Sequence, residues 1–145
     1  LLKRISMEKK IVGKKEKISI ESLELYDLDA KVDTGAYSNA LHCDNIKVDE
    51  NKNEVSFSLL DEVHPSYNGK TIKYPLHKMK KVKSSNGQVQ LRPFIKVNIN
   101  FFGNSYVSVI SLTSRKDMKT PMLIGRKFLN SRFLVDVSKE YLTKQ

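Results

Sequence analysis

Asp33 and the three residues after it, Thr34, Gly35 and Ala36, are the side chains whose types and order best suit them to chemistry. Upstream, Leu28, Ala30 and Val32 alternate with Asp29, Lys31 and Asp33, the period-two pattern of a strand with one buried face. Such a strand leaves a carboxylate at its mouth. Gly35 then lets the backbone turn where a side chain would block the approach of a ligand. A carboxylate held this way is suited to moving protons. Asp-Thr-Gly is also what an ordinary turn uses, so the triplet acquires weight only beside a second stretch. That stretch is Met122-Leu123-Ile124-Gly125-Arg126-Lys127-Phe128-Leu129, an apolar strand running into Gly-Arg and a short helical turn.

Metal and phosphate chemistry have weaker support. His42 and Cys43 are neighbours on a strand pattern and point to opposite faces, so they do not readily ligate one metal. His64 and His77 lack the spacing of His-Glu-x-x-His or paired Cys-x-x-Cys sites, and no Gly-x-x-x-x-Gly-Lys-Ser/Thr loop is present. No metal and no cofactor is expected. The single Cys43 cannot form an internal disulfide, no stretch is apolar for long enough to cross a bilayer, and the first residues lack the apolar run of a secretory signal. A cytoplasmic setting is therefore expected.

The 145 residues, 39% of them hydrophobic, are enough for one ordinary domain with its own core. A formal charge of +10 implies attraction to something anionic. The densest cluster, Lys78, Lys80, Lys81 and Lys83, has no aromatic interleaving of the kind that stacks bases, which argues against nucleic acid.

Around these residues the chain reads as strands and turns. Ile11-Val12-Gly13 is a short strand, Lys14 to Lys17 a polar link, and Ile18 to Leu25 a strand or an edge turn. Ser38 to Val48, Glu54 to Leu60 and Lys70 to Leu76 alternate as strands, separated by a turn at 49–53 and a polar loop at 61–69. Met79 to Lys83 and Gln88 to Arg92 flank Ser84-Ser85-Asn86-Gly87, whose Asn-Gly pair is a strong hairpin signal. Pro93 to Phe101 is the clearest strand, turned back at Gly103-Asn104 into Tyr106 to Leu112. Gly125 to Leu129 is too short to stand as an independent helix and must be held by packing. Phe133 to Val137 closes the pattern, with Tyr141 and Leu142 as an anchor.

A strand ending in Asp-Thr-Gly-Ala, a hairpin-rich middle and a late Leu-Ile-Gly-Arg helix resemble the retropepsin fold of aspartic peptidases. At finer scale the chain is similar to the bacterial family named ATP-dependent zinc proteases, a retropepsin-like group. The likeness rests on Ala30 to Cys43 (AKVDTGAYSNALHC), Arg92-Pro93, Leu112 to Met118 (LTSRKDM), Pro121 to Arg126 and Phe133 to Asp136 (FLVD). It implies an all-β, closed retropepsin-like barrel with one short C-terminal helix, in which 1–10 form a flexible N-terminal segment and 11–145 a single domain. It also implies an aspartic-type peptidase with Asp33 as the catalytic carboxylate. Such enzymes need two carboxylates about 3 Å apart sharing a proton, and this chain has one Asp-Thr-Gly, so the expected unit is a homodimer.

In that picture Thr34 locks the paired loops through its hydroxyl and Gly35 permits close approach. Ala36 offers no hydroxyl to the dyad, which points to a less acidic working range. Ser84, Ser85, Asn86 and Gly87 would form the tip of a flap over bound peptide, with Arg92 at the end of its second arm. Gly125 and Arg126 would support the loop. Retroviral relatives pair the matching Arg with an Asp at the position held here by Tyr37, so Asp136 or Asp117 is the expected substitute partner. The family is associated with RimK-type ligases that add glutamate to a ribosomal protein, which implies a peptide substrate of acidic or polyglutamyl character. Two alternatives stay open: a zinc-dependent hydrolase, as the family name says, and a peptide-binding module without turnover.

Overall fold

In the computed structural model, which describes residues 8–60, 67–83, 86–114 and 119–144, eleven strands surround one apolar core. They are β1 (Lys10–Val12), β2 (Lys15–Ile20), β3 (Leu25–Val32), β4 (Asn39–Asp49), β5 (Glu54–Leu59), β6 (Thr71–Pro75), β7 (Lys78–Lys83), β8 (Val89–Phe101), β9 (Asn104–Thr113), β10 (Met122–Ile124) and β11 (Phe133–Val135). A single short helix, α1 (Arg126–Leu129), follows β10, and 3-10 turns occupy Glu21–Leu23 and Leu142–Lys144. Most of the 1–10 segment, at residues 1–7, lies outside the described residues.

Six strands close on themselves in the order β3, β2, β8, β9, β4, β10, because the short β10 pairs in parallel with β3 and antiparallel with β4. A closed ring leaves no exposed edge. The expected all-β barrel with one short helix is therefore what the chain forms. β5 and β6 extend outward from β4, and β7 hangs from the upper half of β8 as a hairpin. Among the described residues no helix is long and apolar enough to cross a membrane.

Several elements differ from expectation for physical reasons. The polar link at Lys14 to Lys17 is mostly strand: β2 begins at Lys15 and pairs with β3, and Glu16 turns fully inward to accept from Gly13 and Thr143. Ile18 to Leu25 divides into strand, 3-10 turn and the start of β3. The first half of β4, from Asn39 through Cys43, pairs with β9 and β10 and is buried on both faces, and so loses the alternation of a half-exposed strand.

β8 runs unbroken through Pro93 over 13 residues. Val89 to Phe94 pair with β7 and Phe94 to Phe101 with β9, so Pro93 lies one residue before the position where both ladders meet, and its missing N–H falls outside the β9 ladder. The following turn is centred one residue earlier than expected, on Phe102 and Gly103, both at positive φ and bounded by the Phe101–Asn104 pair. Two positive φ values in a two-residue loop match the right-handed twist of the flanking strands.

The helix is held by aromatic packing. Phe128 stacks on Phe133 with centroids 5.9 Å apart and meets Phe101 and Tyr106 edge-on. β11 pairs with β1 in a separate parallel ribbon rather than joining the barrel.

Candidate active site

β3 and β10 lie side by side, and their parallel pairing carries Asp33 to the end of the barrel: the Asp33 N–H donates to Ile124 O at 2.8 Å, just past the register pair Val32 and Ile124. Its side chain is half-buried, and Oδ1 accepts the Gly35 N–H at 2.9 Å. A side chain at Gly35 would bring its Cβ to 3.1 Å from that same oxygen, so glycine here keeps the carboxylate accessible. The loop closes with Ala36 N–H donating to Asp33 O.

The start of α1 clamps this loop from behind. Arg126 and Lys127 donate their backbone N–H groups to the carbonyls of Ala36 and Tyr37 at 2.8 and 3.0 Å. Gly125 is required by proximity, since a Cβ there would lie 2.7 Å from Ser38 O. The Gly125 N–H donates at 2.8 Å to Oδ1 of Asn39, whose Nδ2 donates to Ser108 Oγ at 2.8 Å. Asn39 is buried and was not among the expected site residues. The available signal was an amide opening an otherwise apolar strand run directly after the loop.

Arg126 has a different partner from the one expected. Its Nη1 donates to Thr34 O at 2.9 Å and its guanidinium lies 5.8 Å from the centroid of the Tyr37 ring. Asp136 is taken by the backbone and hydroxyl of Ser138, which hold its carboxyl below the usual range, and Asp117 lies outside the described residues. Tyr37 thus occupies the position of the retroviral Asp and still engages the arginine, through its ring face. Thr34 is exposed, and its hydroxyl has no partner among the described residues of its own chain.

Beside Asp33 opens a cleft of about 470 Å³, with Ala36, Tyr37, Ala40, Ser111 and Leu123 among its lining residues. The β7 arm lines it with Lys80, Lys81, Val82 and Lys83, and Arg92 reaches it from β8, its Nε donating to Gln90 at 2.9 Å. The hairpin expected as a flap therefore stands beside Asp33, and among its described residues it is the rising arm that lines the cleft. Asn86 and Gly87 are exposed and away from that lining, and Ser84 and Ser85 lie outside the described residues. Asp33 is the one carboxylate among the described lining residues, against Lys80, Lys81, Lys83, Arg92 and Arg126.

The zinc that the family name implies has no donor set here: among the described residues no three of His, Cys, Asp and Glu converge on a point that could hold a metal. His42 and Cys43 are both buried in β4, and burial pushes the Cys43 thiol far up. His77 is exposed, and His64 lies outside the described residues.

A crystal structure of Lpg0085, a Legionella pneumophila protein described as of unknown function, superposes with a TM-score of 0.73 at 26% identity, covering 94% of this chain and 99% of that one. Proteins named probable alpha-L-glutamate ligase are also similar: 31% identical over 97% of this chain in Shewanella halifaxensis and 32% over 94% in Shewanella pealeana. The chain spans about a third of their length, 31% and 30% respectively. A family profile described as "RimB-like: Retropepsin-like aspartic endopeptidase RimB" matches residues 11–145. With the Asp33 loop, the closed barrel and the β7–β8 hairpin in place, the chain belongs to the RimB-like family of retropepsin-like aspartic endopeptidases.

Proposed function

We propose that the chain is an aspartic-type peptidase that works as a homodimer, with Asp33 of each subunit meeting across a two-fold axis. The observation that carries this reading is the Asp33 carboxylate, half-buried, fixed by the Gly35 N–H and open to a cleft lined on one side by a hairpin arm. In the dyad one Asp33 is ionised and takes a proton from water, while the other, protonated, polarises the scissile carbonyl. Water adds to the carbonyl carbon, the tetrahedral intermediate collapses with cleavage of the C–N bond, and the leaving amine receives a proton. Thr34, exposed beside Asp33, bonds to the opposite subunit, and Arg126 keeps the loop in shape through Thr34 O. The apolar side chains of Ile11, Leu134 and Val137, 47%, 53% and 73% exposed near the chain ends, supply a surface for that pairing.

The substrate is a peptide of acidic character, in keeping with Lys80, Lys81, Lys83 and Arg126 beside the one carboxylate among the described residues that line the cleft, and with a related domain occurring in proteins named as glutamate ligases. The test is cleavage of a glutamate-rich peptide by wild type and Asp33→Asn, with sedimentation of both. Loss of at least about 10³-fold in rate, with the dimer retained, is expected when one essential carboxylate is removed. Retained cleavage in the variant would sink the mechanism.

A further inference from the structure

A second, smaller cavity of about 160 Å³ adjoins the Asp33 cleft, sharing Tyr37, Ser38 and Lys80 with it. Among the described residues four cations line it, Lys78, Lys80, Lys127 and Arg132, and no carboxylate does. Three of them rest on ring faces: Lys78 on Phe94 at 5.6 Å, Lys80 on Tyr37 at 5.5 Å, and Arg132 on Tyr106 and Phe128 at 5.2 and 5.5 Å. Ring faces orient a cation without neutralising it. The ion pairs among the described residues are Lys14 with Glu140, Lys17 with Asp29 and Lys144 with Asp27, so none compensates this cluster. The polar wall adds a further donor. Ser108 already accepts from Asn39 at 2.8 Å, which leaves its own hydroxyl proton to give.

We propose that this cavity is a carboxylate-binding subsite, taking one acidic side chain of a peptide that lies in the neighbouring Asp33 cleft. The carrier of the carboxylate rests on the peptidase reading; the anion chemistry rests on the cavity itself. The volume selects the occupant, being below the roughly 300 Å³ at which pockets for whole small molecules begin. A single Asp or Glu side chain fits, and a nucleotide does not. Because Lys80 belongs to the β7 arm, an anion in the cavity also ties the arm to the barrel next to bound substrate.

The test uses the full chain carrying Asp33→Asn, so that peptide is bound and not cut. A labelled glutamate-rich peptide and its all-glutamine counterpart are titrated by fluorescence anisotropy at low salt. The glutamate peptide should bind roughly tenfold or more tightly than the glutamine one, as charge-assisted hydrogen bonds predict. Lys78→Gln with Arg132→Gln should bring that preference to within about threefold, whereas Lys78→Arg with Arg132→Lys should keep most of it, since charge rather than shape is read. Lys96→Gln, exposed on β8 and outside both cavities, should leave the preference in place. Circular dichroism melts confirm that the double variants fold.

Equal affinity for the two peptides, or a preference untouched by the double Gln variant, would overturn the subsite. So would inorganic phosphate or an oligonucleotide binding more tightly than the glutamate peptide through these residues. If Asp33→Asn shows the preference while wild type cuts nothing, the subsite stands and the peptidase reading falls. If wild type cuts glutamate and glutamine peptides equally, the reverse holds.

Discussion

Asn39 is 3% exposed, and its amide joins the helix start to the barrel wall by accepting from Gly125 and donating to Ser108. Asn39→Leu would fill the same space but leave the Gly125 N–H buried and unpaired. A buried donor without a partner costs about 1–3 kcal/mol, which in a domain of this size, at roughly 2–4 °C per kcal/mol, lowers the melting midpoint by about 2–12 °C. On the proposed reading the variant should also lose peptidase rate, because the backbone bonds from Arg126 and Lys127 that shape the Asp33 loop depend on where α1 begins. Calorimetry with parallel peptide assays checks this; an unchanged midpoint would mean the amide is not holding the helix. At this scale the meeting of Asp33, Gly125 and Arg126 at one loop was legible from residue type: a carboxylate, a missing Cβ, a guanidinium. The partner of Arg126 was not. A search for complementary charge leads to Asp136, whereas the actual partners are a carbonyl and a ring face, which leave no mark in the charge pattern.

The segment after β11 shows what local sequence leaves out at the level of elements. Lys14 to Lys17 carries four charged side chains in a row and reads as a link, yet it pairs with β3 while the chain end binds across it. Tyr141 N–H donates to Lys15 O at 2.8 Å, and Thr143 donates twice to Glu16 Oε1 at 3.0 Å. These bonds span more than 120 positions, so no window of sequence contains both partners. Lys17 and Asp29 add an ion pair at 2.6 Å beneath Tyr141. Partial burial alone would raise the Asp29 carboxyl, but Lys17, the Tyr141 hydroxyl and Lys15 together bring it below its ordinary value of 3.8. A folded-state value below the unfolded one stabilises the fold above pH 3.8, and the gain is lost as pH falls through the lower folded value. Asp29→Asn should therefore unfold at lower urea than wild type at pH 7, and the difference should shrink steadily once pH drops below 3.8. A gap of constant size from pH 7 into that acid range would show that charge at Asp29 contributes nothing. The effect is modest, since the carboxylate side chain is 43% exposed and screened by solvent.

For the whole molecule, the closed barrel was legible because its strands alternate clearly and its two signature stretches sit at either end of the chain; closure itself depends on three-residue β10 pairing on both sides, which periodicity does not reveal. The barrel presents one carboxylate to the cleft among the described residues, whereas shared-proton chemistry needs two. On the proposed reading the second comes from an identical subunit, and this has a consequence that a single-chain enzyme cannot imitate. When wild type is mixed with an equal amount of Asp33→Asn and subunits exchange, half of the wild-type chains end up beside a variant partner. Dimers holding one Asp and one Asn lack the ionised carboxylate or the acid, so the rate should fall to about half that of the wild type alone, by random pairing across the two-fold axis. A large excess of variant should drive it toward zero. Thr34 and the exposed Ile11, Leu134 and Val137 side chains make the exchange separately adjustable. Leu134→Lys, placed on the outer face of β11, should weaken pairing and make the rate fall on dilution while the circular dichroism spectrum stays that of the barrel. A rate indifferent to added Asp33→Asn, under conditions where sedimentation shows mixed dimers forming, would mean that each subunit cuts alone and that the second carboxylate must be sought within one chain.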